Sequence, residues 1–230
     1  MGSALASGAA PELGATPLRC AHGVVIAAMT IILIFVLRAA PPRVRWRGPI
    51  LFDAQIRDRA RLRSARARAL AARASDCLLW GVCAFPIAVD AGLVVIAARG
   101  HMVLGLRMLA MDATSLLMAG VLVMVIKHLA ARERPTDEGQ AKWLHVERNL
   151  SFIGGHTAMT FTGAGLIAAQ HTHLPIYGHR GDLSAMVLAW CAAALVSLLR
   201  VLADKHYASD VLVGAAVGIA CGWAMPLLIF

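Results

Sequence analysis

The sequence predicts an all-α fold, a bundle of six transmembrane helices with an additional basic helix on the membrane surface. Composition is the first observation. Only 15% of the 230 residues are charged, 59% are hydrophobic and mean hydropathy is +0.70, where a soluble domain carries roughly a quarter charged residues. The second is length: six apolar segments, at 21–38, 77–98, 102–127, 153–170, 183–202 and 208–229, approach the ~20 residues that a spanning helix needs. The third is the arginine-dense stretch 39–75 between the first two of them.

Residues 1–19 are rich in Ala, Gly and Pro, with no basic start before an apolar run. They read as a disordered tail rather than a secretory leader. One integral-membrane domain follows, at 20–230. Its first span leads into P-P-R-V-R-W-R-G-P and then into a helical pattern from Phe52. There Phe52, Ile56 and Leu62 give a partial apolar face and arginines cover much of the rest. Such a helix suits an anionic membrane surface. The net charge of +9 therefore points to lipid headgroups, and no nucleic-acid motif accompanies it. The second and third spans carry Asp90, Arg107 and Asp112. Acids inside a span mark either function or a helix-to-helix hydrogen bond. The fourth span is short. His171, His173 and His179 fall in the expected loop after it, where H-x-H is a weak metal signal. The five cysteines show no C-x-x-C spacing and read as small buried apolar residues. The sequence specifies no oligomeric state.

Parity places the chemistry. If all six segments span, the loops after spans one, three and five share a membrane face. Lys127 and Arg134 end the third span, His156 starts the fourth, and Arg200, His206 and Asp210 surround the turn after the fifth. Lys127 and Arg134 are seven apart, nearly two helical turns, so both project from one side. Pro135 then favours the helix end. A point-charge ammonium and a forked guanidinium suit phosphate. Gly154 and Gly155 permit close backbone approach before His156, where helix-start amides face anions. His206 and Asp210 are four apart, so the carboxylate can accept one imidazole N–H and leave the other nitrogen free to attack.

In that order, K-x6-R-P, G-H and R-x5-H-x3-D resemble the motifs of the type 2 phosphatidic acid phosphatase family, within the superfamily that also holds vanadium haloperoxidases. The resemblance covers about 120–215 in motif terms. It implies that Lys127, Arg134, Gly155 and Arg200 bind phosphate. It also implies that His206 is the nucleophile of a phosphohistidine intermediate, Asp210 orients it, and His156 is the general acid. No metal or cofactor is implied. The substrate would be a membrane lipid phosphate: phosphatidic acid, phosphatidylglycerol phosphate, a polyprenyl pyrophosphate or a lipid A phosphate.

Two positions depart from the family pattern. Gly154 stands where a serine is usual, and Leu199 stands before Arg200 in place of another serine. One hydrogen bond to a charged group is worth about 1–3 kcal/mol, so a weakened enzyme is expected. The alternative is a non-catalytic anionic-lipid binder or transporter that keeps the fold. Soluble haloperoxidase chemistry fits the apolar chain poorly. The expected location is a multi-pass protein of the cell membrane, as in a bacterial inner membrane. Eighteen Lys and Arg lie on the motif side against four on the other. That count puts the motif face in the cytoplasm, whereas the family's bacterial members usually hold the site on the outer face.

Overall fold

The computed structural model describes residues 20–40, 42–135, 149–224 and 226. The expected tail at 1–19 and the segment 136–148 lie outside the described residues. Helices follow in the order α1 (Cys20–Arg38), α2 (Asp53–Ala60), α3 (Ala65–Ala84), α4 (Met102–Ala130), α5 (Gly155–His173), α6 (His179–Leu202) and α7 (Ala208–Ile219). Two of them continue with π-helical winding, α3 through Phe85–Ala98 and α7 through Ala220–Ala224.

Among the described residues, three helices are long and apolar enough to cross a membrane: Ala65–Ala98, Met102–Ala130 and His179–Leu202. Gly23–Arg38 and Ala208–Ala224 are shorter apolar helices. Among the described residues a helical segment thus stands where each of the six spans was expected, but length and composition support three of them as spans. The physical reason is plainest in α5. It packs against α3, α4, α6 and α7 and buries thirteen of its nineteen residues. A helix screened by its neighbours can be rich in Gly and Thr and still sit in an apolar bundle. On the outside, α1, α4 and α6 expose large apolar side chains, with Phe35 76%, Val103 64% and Leu188 68% accessible.

The α5–α7 contact is made by small residues at four-residue spacing. A Cβ on Gly214, Gly218 or Gly222 would lie 2.6, 2.4 or 2.1 Å from the carbonyl oxygens of Gly154, Ala158 or Thr162. Only glycine allows the two backbones to meet this closely. On α3, Pro86 has no N–H to offer the preceding turn. The Val82 carbonyl of that turn lies 2.9 Å from where a Cβ on Gly163 would be. Around these contacts Val82, Ala164, Ile167, Ala189 and Ala193 form one core cluster. Ala91, Val95, Met108, Leu174 and Ile176 form another at the far end.

The basic stretch 39–75 is not one surface helix. α2 has eight residues, and 65–75 is the start of the long α3. The segment before α2 packs inward, where Arg45 and Trp46 donate their N–H groups to the Ala131 carbonyl at 3.1 and 3.5 Å. Arg57 and Arg61 both pair with Asp204, at 2.7 and 2.8 Å. The part of the expected loop and helix from Arg45 to Arg61 thus packs against the loops that carry the motifs.

Candidate active site

Four chain segments deliver the predicted residues to one end of the bundle. Lys127 comes from the last turn of α4. That helix ends through Ala131 in the left-handed region (φ 44°), a common helix stop, and the turn carries Arg132 and Arg134 inward. His156 sits in the first turn of α5 and Arg200 in the last turn of α6. His206 lies in the turn before α7, and Asp210 in the first turn of that helix. Lys127, Arg134 and Arg200 are 8%, 8% and 5% exposed, and His206 is 2%. Arg200, His206, Lys127 and Arg134 all act electrostatically on His156. Arg134, Lys127 and Arg200 act likewise on His206. A Cβ on Gly155 would lie 3.5 Å from Lys127 Nζ, so the start of α5 faces the same space. The structure therefore gathers every residue the motifs singled out.

One expected contact takes a different form. Asp210 meets His206 as a charge, with Nδ1 to Oδ2 at 3.7 Å, and not as a hydrogen-bond acceptor. Its oxygens are already engaged. Arg132 Nη1 donates to Oδ1 at 2.5 Å, Ser151 Oγ to Oδ2 at 2.6 Å, and the Tyr207 N–H to Oδ2 at 3.0 Å. The last of these also caps α7.

Behind Asp210 lies a buried network that the motifs did not announce. Arg132 is 0% exposed. Besides Asp210 it donates to Asp53 Oδ2 at 2.7 Å, Ser209 Oγ at 2.8 Å and the Gly48 carbonyl at 3.0 Å. Its guanidinium stacks between Trp46 and Tyr207, at 4.2 and 4.1 Å from the ring centres. Asp53 accepts further from Ser209 N–H and Oγ, at 2.8 and 2.7 Å. Burial works to raise Asp53, but Arg132 and Ser209 outweigh it and hold its carboxyl below the usual carboxylate range.

A second unannounced residue is Asp76, on α3. Its Oδ1 accepts from His156 Nε2 at 2.8 Å and from Arg200 Nη1 at 3.2 Å. The acid immediately precedes the apolar run Cys77-Leu78-Leu79-Trp80. An acid at a span end is a signal that could have found it.

Burial, and then the charges of Arg134, Lys127 and Arg200, push the His206 imidazole well below its ordinary range, while contact with the Ser151 backbone opposes the shift. The shift favours the neutral ring, the form in which an imidazole nitrogen keeps a free lone pair.

The far-end acids and histidines belong elsewhere. His171 is in the last turn of α5, not in a loop. Its ring lies between Asp182 Oδ1 at 2.7 Å and Asp90 Oδ2 at 3.2 Å, and Tyr177 Oη donates to Asp90 at 2.6 Å. Asp112 accepts from Gln170 at 2.6 Å. These are helix-to-helix ties, and among the described residues no group of three metal-ligating side chains occurs.

Comparison with known proteins places this half of the chain in a family. The PAP2 superfamily model matches residues 110–230. Lipid A 1-phosphatase of Porphyromonas gingivalis is 35% identical over 116 residues, which cover 50% of this chain and 22% of that protein. Decaprenylphosphoryl-5-phosphoribose phosphatase of Mycobacterium tuberculosis is 33% identical over 104 residues, covering 45% of this chain and 51% of that protein. The chain thus spans about half, or less, of the curated relatives it matches. No solved structure matches it. Since the family match runs from α4 to the chain end, it holds Lys127, Arg134, His156, Arg200, His206 and Asp210 in one frame, and the chain belongs to the PAP2 superfamily.

Proposed function

We propose that this protein is an integral-membrane lipid phosphatase that hydrolyses a phosphomonoester or pyrophosphate of a lipid through a phosphohistidine, without a metal ion. The observation that carries this reading is the meeting of Lys127, Arg134, Arg200, His156 and His206 at one end of the bundle. The three cations and the Gly155 end of α5 bind the phosphoryl group. His206 attacks phosphorus through Nε2, its Nδ1 being turned to Asp210. The P–O bond to the lipid breaks as His156, in its imidazolium form beside the bound phosphate, gives a proton to the departing oxygen and becomes neutral. Water, deprotonated by His156, then attacks the phosphohistidine and releases inorganic phosphate and free His206. Asp210 steadies the imidazole by charge, and Arg132 and Ser151 fix Asp210 in turn.

The two relatives are named for removing phosphate from lipid A and from decaprenylphosphoryl-5-phosphoribose. Their similarity supports a lipid-borne phosphate as substrate here. The outward apolar belt supports a multi-pass location in the cell membrane. At its margin, α2 and the residue before it expose Phe52 and Ile56, each 36% accessible, while Asp53 is buried. That outward apolar edge supports α2 as a helix lying in the membrane surface.

The experiment is phosphate release by the purified protein from phosphatidic acid, phosphatidylglycerol phosphate, a polyprenyl pyrophosphate and lipid A, with and without chelator. Turnover of at least one, insensitive to chelator and lost in His206→Ala, is expected. Binding of these lipids with no turnover of any would favour the anionic-lipid binder instead.

A further inference from the structure

Asp76 stands where the capture of phosphate has no evident use for an acid. Its Oδ1 alone takes both the His156 Nε2–H, at 2.8 Å, and Arg200 Nη1, at 3.2 Å. These are two groups from different helices that the phosphatase reading assigns to the substrate phosphate and its leaving oxygen. A carboxylate partner requires Nε2 to be the donor. One oxygen bridging the two donors does what one phosphate oxygen would do. The accessibilities show which partner can yield. The Asp76 side chain is 50% exposed, whereas those of its partners Arg200 and His156 are 6% and 30% exposed. Arg200 is fixed in the floor, His156 is only partly covered, and the acid stands at the open edge. Helix α3 is itself held there, since Arg200 Nη1 also donates to Ser75 Oγ at 3.3 Å.

We propose that Asp76 is the resident counter-anion of the cradle, holding the place of a phosphate oxygen and yielding it when a phosphate binds. The proposal rests on the phosphatase reading of the site. Its consequence is competition. A carboxylate repels a phosphate that approaches the same donors, so it weakens the hold on inorganic phosphate as well as on substrate. Three converging cations alone would retain product phosphate; the returning carboxylate helps to expel it.

The test is the affinity of purified protein for inorganic phosphate and for orthovanadate, measured as inhibition of lipid phosphate hydrolysis and by direct binding. Asp76→Asn keeps the shape and removes the charge. It is expected to bind both anions on the order of tenfold more tightly, with a lower KM. Asp76→Ala is expected to tighten in the same direction, and Asp76→Glu to bind no more tightly than the parent. A residue that merely tied α3 to α5 would do the reverse, since its loss would loosen the cradle and weaken anion binding. Equal or weaker anion affinity in both Asp76→Asn and Asp76→Ala overturns the proposal alone. A parent protein that binds neither anion and hydrolyses no lipid phosphate overturns the phosphatase reading along with it.

Discussion

Replacing Arg132 by Met isolates the contribution of the buried network behind His206. The guanidinium is 0% exposed, touches Asp53 and Asp210 at 2.7 and 2.5 Å, and lies between two aromatic rings. Methionine fills much of the same volume and removes the charge, leaving two buried carboxylates without their common cation. Breaking a buried ion pair from one side costs about 3–5 kcal/mol. Two ion pairs do not double that figure, because each carboxylate keeps neutral donors. Asp53 keeps Ser209 N–H and Oγ and the Ile50 N–H at 3.1 Å. Asp210 keeps Ser151 Oγ and the Tyr207 N–H. The stacking adds ~0.5–2 kcal/mol per ring, part of which methionine retains. The expected loss is therefore about 3–5 kcal/mol, measured by SDS-induced and thermal unfolding in detergent micelles. Asp53→Asn combined with Arg132→Met is expected to lose clearly less than the two single losses added together. A variant within about 1 kcal/mol of the parent, or single effects that add to within about 0.5 kcal/mol, would show that the network does not hold the site floor.

Other substitutions probe the remaining contacts. Gly218→Ala places a methyl 2.4 Å from the Ala158 carbonyl and is expected to cost at least ~2 kcal/mol and most of the activity, since α5 carries His156. Gly81→Ala, where nothing lies within 4 Å, is expected to be neutral or to stabilise by up to ~1 kcal/mol; similar stabilities for the two variants would contradict the packing argument. In Gly154→Ser the new Cβ meets the Asp210 carbonyl at 3.2 Å, so the loop must shift slightly to admit the hydroxyl usual in the family. A rise in kcat/KM of no more than about tenfold is expected from phosphate-release kinetics, and a fall would mean that the close approach matters more than the hydroxyl. His206 has its folded-state pKa lowered, so its contribution to stability is full above the unfolded value of ~6.5 and is lost as pH falls from there toward the folded value. Unfolding titrations should show that acid loss diminished in His206→Gln; an identical profile in both proteins would contradict the assignment.

The expected spans locate α1, α4 and α6 to within a few residues because their apolar runs end in charge, Gly or Pro. The helical pattern expected from Phe52 onward is present but broken between Ala60 and Ala65, so that 65–75 joins the long α3 and not the surface helix. Alanine and arginine favour helix, and Arg68 Nη1 ties the helix start to the Leu62 and Arg63 carbonyls at 2.8 and 2.9 Å. The cradle cations were legible because the motif fixes their spacing and because helix ends at one face must converge. Arg132 was hidden within the variable part of K-x6-R-P. Its acidic partners lie 79 and 78 residues away, so no local spacing reports them. Asp76 lies one residue before the apolar run that begins at Cys77, and its partners lie 80 and 124 residues distant. The failed His206–Asp210 hydrogen bond has a similar origin: four-residue spacing shows that two groups can meet, but not that Arg132, Ser151 and Tyr207 reach the carboxylate first.

The proposed capture of phosphorus by His206 is tested by quenching the protein during turnover of a radiolabelled lipid phosphate. Label that stays on the protein in alkali, is lost in acid and maps to His206 is expected, with none in His206→Ala. Parent protein that releases phosphate without ever carrying such label, alongside an equally active His206→Ala, would contradict the mechanism.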